Sequence, residues 1–156
     1  KNMKYSEASM EEIQRIAAEF PSTLVVMLYD HALENLEIAI GAIEAGDIEA
    51  RYKASEKVAE VLYELCISLD MANGGAIAAN LAALYKHGIQ QMTDINFTND
   101  PEIAMSLMKI LEPLRDSWAE LDERIRSEVI EAETAIDPAI AAEIVAQHRT
   151  GASFNR

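Results

Sequence analysis

Apolar residues recur every three or four positions along most of this 156-residue chain, the spacing that gathers them on one side of an α-helix. From Thr23 to Ala45, Val25, Tyr29, Ala32, Leu36, Ala39 and Ile43 form a seam, with Val26, Leu33 and Ile40 beside it. That stripe is wider than a two-stranded seam needs. A second helix is expected from about Ile48 to Met71, with Tyr52, Ala59, Leu62, Cys66 and Leu69 on one side and Val58, Val61 and Leu65 adjoining. A third runs from about Ala76 to Asn96 on a seam of Ile77, Leu81, Leu84, Gly88, Met92 and Ile95. Its Ala78, Ala79, Ala82 and Ala83 are small enough to admit another helix closely. A fourth starts at Asp100-Pro101 and carries Leu107, Leu111, Leu114, Trp118, Leu121 and Ile125 to about Glu131. Pro113 should kink it, since proline removes a backbone bond and clashes with the preceding turn.

The punctuation between these patterns is short. Pro21, with Ser22 and Thr23 beside it, suits a helix start. Gly46 ends the first helix and Asp47 can cap the second. Asn73-Gly74-Gly75 is a strong break, because glycine accepts the left-handed backbone that a reversal needs. Ser9 and Glu12 could form a capping box for a short helix over Met10 to Glu19. Asp137-Pro138 opens another, Ala139 to about Arg149, ended near Gly151.

Helices of about 20 residues are about 30 Å long, and loops of a few residues make neighbours antiparallel. The expected fold is all-α: an antiparallel up-down four-helix bundle over residues 21–131, with an N-terminal arm or short helix over 1–20 and a short C-terminal helical extension over 132–156.

Charge narrows the partners. The formal net charge of −14 disfavours nucleic acid and anionic membrane surfaces, which need clustered Lys and Arg. Cys66 is the lone cysteine, so no internal disulfide can form; among apolar neighbours it reads as a small core side chain. With no signal-peptide pattern and no apolar run of about 20 residues, the chain reads as soluble and cytoplasmic.

Motifs for chemistry are missing. A dimetal bundle uses Glu-x-x-His pairs aimed inward, and none of His31, His87 and His148 has Glu three residues before it. One Cys and scattered His give no zinc spacing. Asp30-His31 is a neighbour pair on a helix, pointing about 100° apart, so it is no dyad. Gly74-Gly75 lacks the Lys-Ser/Thr of a phosphate loop. The expectation is no enzyme, no metal and no cofactor. Binding remains. The extra apolar width of the first helix, beside Leu84-Tyr85, has two compatible readings: packing against the terminal arms, or a groove for a partner's amphipathic helix.

Three motifs then carry a family resemblance: Pro21-Ser22-Thr23-Leu24-Val25-Val26-Met27-Leu28-Tyr29-Asp30-His31-Ala32-Leu33; Ala42-Ile43-Glu44-Ala45-Gly46-Asp47; and Ser68-Leu69-Asp70-Met71 through Gly74-Gly75 to Ile77-Ala78-Ala79-Asn80-Leu81-Ala82-Ala83-Leu84-Tyr85. Asn96, Asn99-Asp100-Pro101 and Leu114-Arg115-Asp116-Ser117-Trp118 add to them. Over about residues 21 to 122 the chain resembles the flagellar secretion chaperones, the FliS family. The resemblance implies a cytoplasmic type III export chaperone. It would bind the C-terminal segment of flagellin, which is disordered when free, prevent premature polymerisation and present the subunit to the flagellar export apparatus. A segment that folds on binding covers much surface while its ordering cost limits affinity.

By position, the resemblance points to Tyr29, Leu33, Asn80, Leu81, Leu84 and Tyr85 as partner-binding residues. The leucines would be anchors, the tyrosines would add area and a hydroxyl, and Asn80 would bond a partner's backbone. Asp70 and Asn73 are expected to shape the turn. The chain departs from the family where His31 replaces a usual Gly and where Tyr85-Lys86-His87 replaces a Tyr-x-Tyr-like pair. Ile136, Ile140, Ile144 and Val145 give the extension an apolar side. The alternative reading is a non-enzymatic helical adaptor that binds another protein through its acidic surface and C-terminal helix.

Overall fold

The structure, a computed structural model, describes residues 15, 21–135, 138–140, 142–143 and 145–147. Four long helices fill most of that span: α1 Pro21–Ala45, α2 Ile48–Ile67, α3 Gly75–Thr98 and α4 Pro101–Ala135. There is no strand among the described residues. The expected helix over Met10 to Glu19 and the tail after Gly151 lie outside the described residues, apart from a helical Arg15. In the expected fifth helix, the described positions 139–140, 142–143 and 145–147 are helical. The chain divides into two compact units, Lys1–Ala119 and Glu120–Arg156; the bundle core is a property of the first.

Each connection is made by the residues that suit it. The Asp47 N–H reaches Ala42 O at 2.8 Å and the Gly46 N–H reaches Ile43 O at 3.2 Å. This closes α1 in a Schellman arrangement, with Gly46 at φ 70°. Asp47 then serves α2, its carboxylate accepting from Ala50 N–H at 3.0 Å. At the other end of the bundle, α2 stops at Ile67 rather than near Met71. The Ser68 hydroxyl donates to Leu65 O at 2.8 Å. Asp70 accepts from both the backbone N–H (3.1 Å) and the side-chain amide (3.0 Å) of Asn73. These local bonds compete with helix continuation, and they give Asp70 and Asn73 the turn-shaping role expected of them. Gly75 takes φ 55°, while a side chain at Gly74 would strike Asp70 O at 2.6 Å and Ala78 Cβ at 2.5 Å, so the pair answers two different demands.

At the last connection Asn99 adopts φ 53°, and its N–H bonds Ile95 O at 2.9 Å. Asp100 accepts from Glu102 N–H at 3.0 Å, and Pro101 takes the first helical position, where its missing N–H costs nothing. The α4 assignment runs through Pro113, which lies on the exposed side, and on to Ala135, past the expected end near Glu131.

The core joins all four helices: Tyr29, Ala32 and Leu36 of α1; Val58, Val61, Leu62 and Leu65 of α2; Tyr85, Met92 and Ile95 of α3; Ala104, Leu107 and Leu111 of α4. Helix α1 packs on α2 and α2 on α3. A Cβ at Gly88 would lie 2.7 Å from Leu62 and 3.4 Å from Leu107, which sets α3 between α2 and α4. The Arg115 guanidinium grips Asp30 with Nε to Oδ1 at 2.6 Å and Nη2 to Oδ2 at 3.3 Å, which joins α4 to α1. Tyr29 and Tyr85 therefore meet across the middle of an antiparallel bundle. Four seam expectations fail: Tyr52 is 49% and Ile77 74% exposed, and Leu121 and Ile125 are 37% exposed each.

Candidate functional site

The six expected partner-binding residues fall into three places. Tyr29 and Tyr85 are in the core, at 0% and 2% exposure. Their hydroxyls share a hydrogen bond of 2.6 Å, and their rings meet edge to face at 6.5 Å. Burial raises both phenol pKa values; the Tyr85 hydroxyl raises that of Tyr29 further, while the Trp118 indole pulls Tyr29 the other way. Both phenols thus stay neutral and satisfy each other in a dry interior. Neither ring presents surface.

Leu33 is three residues from Asp30, so it lies on the edge of α1 that meets α4 through Arg115. Leu81 and Leu84 precede Gly88 on the core-side stripe of α3, where a Cβ at Gly88 would meet both Leu62 of α2 and Leu107 of α4. Antiparallel helices advance at equal rise, so this pairing brings Leu84 level with Leu111 and Ile77 level with Trp118. The three leucines are partly buried against the core. Asn80 is exposed one turn before Leu84.

What unites the α3 residues is an absence of charge. From Met71 to Tyr85 the sequence holds no ionisable group except Tyr85 itself, between Asp70 and Lys86. In a chain of net charge −14 this run presents Ala76, Ile77, Ala79, Asn80 and Ala83 to solvent. Ile67 and Met71 add apolar surface at the same end of the bundle, 58% and 56% exposed. Contiguous exposed apolar surface is the kind of feature that contact sites use. Periodicity alone missed this face, since it assigned Ile77 to the core; the uncharged run was the available signal.

At the opposite end α2 and α3 are tied together by polar side chains, with Tyr52 and Phe97 exposed beside them. Arg51, 9% exposed, donates from Nε to Asn96 Oδ1 (3.3 Å), from Nη1 to Asn99 Oδ1 (2.7 Å) and from Nη2 to Asn96 O (3.2 Å). The Asn96 amide nitrogen donates to Ser55 Oγ at 3.0 Å and to Met92 O at 3.2 Å. A cation thus sits at the C-terminus of α3, where the helix dipole favours it.

Two open grooves accompany these features, the first bordering the polar end with Ser55 and Asn96 in its lining. One, about 350 Å³, runs between α2 and α3 and is lined by Tyr52, Ala59, Met92 and Phe97 among others. The other, about 540 Å³, runs between α1 and α2, with Leu28, His31, Lys57 and Glu60 on its walls. Neither contains any of the six expected residues. Among the described residues no group of three or more His, Cys, Asp or Glu could hold a metal ion, and no helix is long and apolar enough to cross a membrane.

Comparison with known proteins agrees with this picture of a binding bundle. The profile of the family described as flagellar protein FliS matches residues 2–125. The flagellar secretion chaperone FliS of Vibrio cholerae is 28% identical over 117 residues, 75% of this chain and 85% of that protein. The flagellar secretion chaperone FliS of Salmonella typhimurium is 30% identical over 118 residues, 75% of this chain and 86% of that protein. The one from Bacillus subtilis is 26% identical over 98 residues, 63% and 72% of the two chains.

Proposed function

Because this chain belongs to the FliS family of flagellar secretion chaperones, a family of chaperones and not of enzymes, we propose that its cargo is flagellin, held by the C-terminal segment. In this reading it works in the cytoplasm, blocks premature polymerisation and hands the subunit to the flagellar export apparatus. The observation that carries the proposal is the uncharged, partly apolar half of α3 on an otherwise acidic protein. A segment that is disordered when free brings apolar side chains but little preformed shape, so it suits an open face better than a deep pocket.

The roles divide by position. Leu81 and Leu84 anchor apolar side chains along α3, exposed Asn80 bonds the cargo backbone, and Leu33 extends the contact onto α1 as the segment wraps around. Tyr29 and Tyr85 act from beneath: their hydroxyl pair fixes the spacing of α1 and α3 and so the position of Leu84. Affinity comes from apolar burial, at roughly 25 cal/mol per Å² before ordering costs.

Calorimetry with a peptide of the last ~40–50 residues of flagellin, a length able to fold on binding, tests the proposal. A complex with a large negative heat-capacity change is expected. No heat and no complex at tens of micromolar, on the order of a weak specific interaction, would sink it and leave an adaptor for another partner.

A further inference from the structure

We infer that the outer groove between α2 and α3 is a second docking site, for an amphipathic helix whose polar face is basic. The groove is about 350 Å³ and is walled by Tyr52 on α2 and Phe97 on α3, over a floor of Ala59 and Met92. Phe97 is 85% exposed and Tyr52 49%, a large apolar surface for a protein to leave in water. Ile48, one turn before Tyr52 and 67% exposed, lengthens it. Parallel walls on two helices suit a third helix that inserts anchors at successive turns, and the volume holds one or two large side chains.

Charge selects the occupant. Among the described residues lining the groove, the charged one is an acid, Glu56. The Tyr52 hydroxyl donates to its Oε1 at 2.7 Å, which ties the carboxylate to the aromatic rim. A second copy of this chain would bring another net −14 and another Glu56 against the first, and the repulsion opposes self-association. A helix with Lys or Arg beside its apolar anchors gains where a second copy loses. The site is separate from the flagellin face. Its lining on α3 runs from Met92 to Phe97, whereas Leu81 and Leu84 lie nearer the start of α3 and line no part of it.

The probe is a synthetic, fluorescein-labelled amphipathic helix of about 18 residues, or five turns, with Leu and Phe anchors on one face and Lys on the other. Its control has Glu for every Lys. Both are titrated by anisotropy into the full chain, alone and saturated with the flagellin peptide. The Lys probe is expected to bind in both cases, and the Glu probe at least ~10-fold more weakly. Phe97→Ala and Thr93→Arg should each weaken the Lys probe by about 10-fold, while Leu84→Asp leaves it unchanged. Both altered residues are exposed, and circular dichroism checks that the fold persists. Four results would overturn the inference: no binding of the Lys probe, equal binding of the two probes, displacement by the flagellin peptide, or insensitivity to both groove variants. Sedimentation showing a dimer that Phe97→Ala dissolves would also overturn it, by making a second copy the occupant.

Discussion

The two ends of the α2–α3 pair are built from the same helices and solve opposite problems. At one end Arg51, Ser55, Asn96 and Asn99 tie the helices together with charged and neutral hydrogen bonds. At the other, Ile67, Met71 and Ile77 stand exposed around a glycine turn, beside an uncharged run of alanines. Polar closure holds a helix end in register at a desolvation cost that only full pairing offsets. Leaving the other end apolar and open forgoes that order and keeps surface for a partner. The flagellin contact is thus proposed for the open end, while the polar ties of the other end border the α2–α3 groove that Ser55 and Asn96 help to line.

The sharpest way to break this contrast is at the polar end. Asn96→Leu leaves the buried Arg51 Nε without its Asn96 Oδ1 acceptor and Ser55 without its amide donor, while the bond to the Asn96 backbone carbonyl stays; we expect a loss of about 2–3 kcal/mol in urea unfolding. Flagellin-peptide affinity should stay within about twofold while the protein is folded, a change too small to signify a lost contact. At the open end, Leu84→Asp should weaken the peptide by at least ~10-fold, about 1.4 kcal/mol, because it places a charge where the cargo is apolar. Calorimetry checks it, with circular dichroism to confirm folding; unfolding would instead assign Leu84 to the core alone.

Between the ends, Tyr29→Phe leaves the Tyr85 hydroxyl without its partner, and we expect about 1 kcal/mol of destabilisation by thermal melting. If the tyrosine pair only fills space, Phe will be neutral. The smallest effect concerns pH. The two bonds from Asn73 lower the Asp70 pKa, the side-chain bond first. A depressed folded-state value gives stability that is present above the ordinary carboxylate range and lost as pH falls through the lowered value. Because Asp70 is exposed, the change should be slight, seen as a melting temperature that falls in acid less steeply in Asn73→Ala than in the parent.

The helices and their connections were legible because local rules govern them: three-and-four spacing, Gly46 with Asp47, Asn73 with the glycine pair, and Asp100 with Pro101. Where α2 ends was less legible, since Ser68 and Asp70 offered the backbone rival bonds just past Ile67. The site was legible in part. Leu81, Leu84 and Asn80 share an edge by spacing alone. Where Leu33 stands relative to them depends on how four helices close, which no local pattern encodes. Tyr29 stood in the expected α1 seam, but its pairing with Tyr85 was hidden for the same reason. A tyrosine is costly in a core unless its hydroxyl finds a partner, and here the partner is 56 residues away in sequence. Tyr52 misled because its apolar ring fits a seam while its hydroxyl points to Glu56.

Hydrogen exchange of the chain, with and without the flagellin peptide, tests the division between the two ends most directly. Added protection is expected in the α3 amides from Ala76 to Tyr85, with no change around Arg51, Ser55 and Asn96–Asn99. Protection centred on Arg51 and Asn96–Asn99, with Ala76 to Tyr85 unaffected, would contradict it.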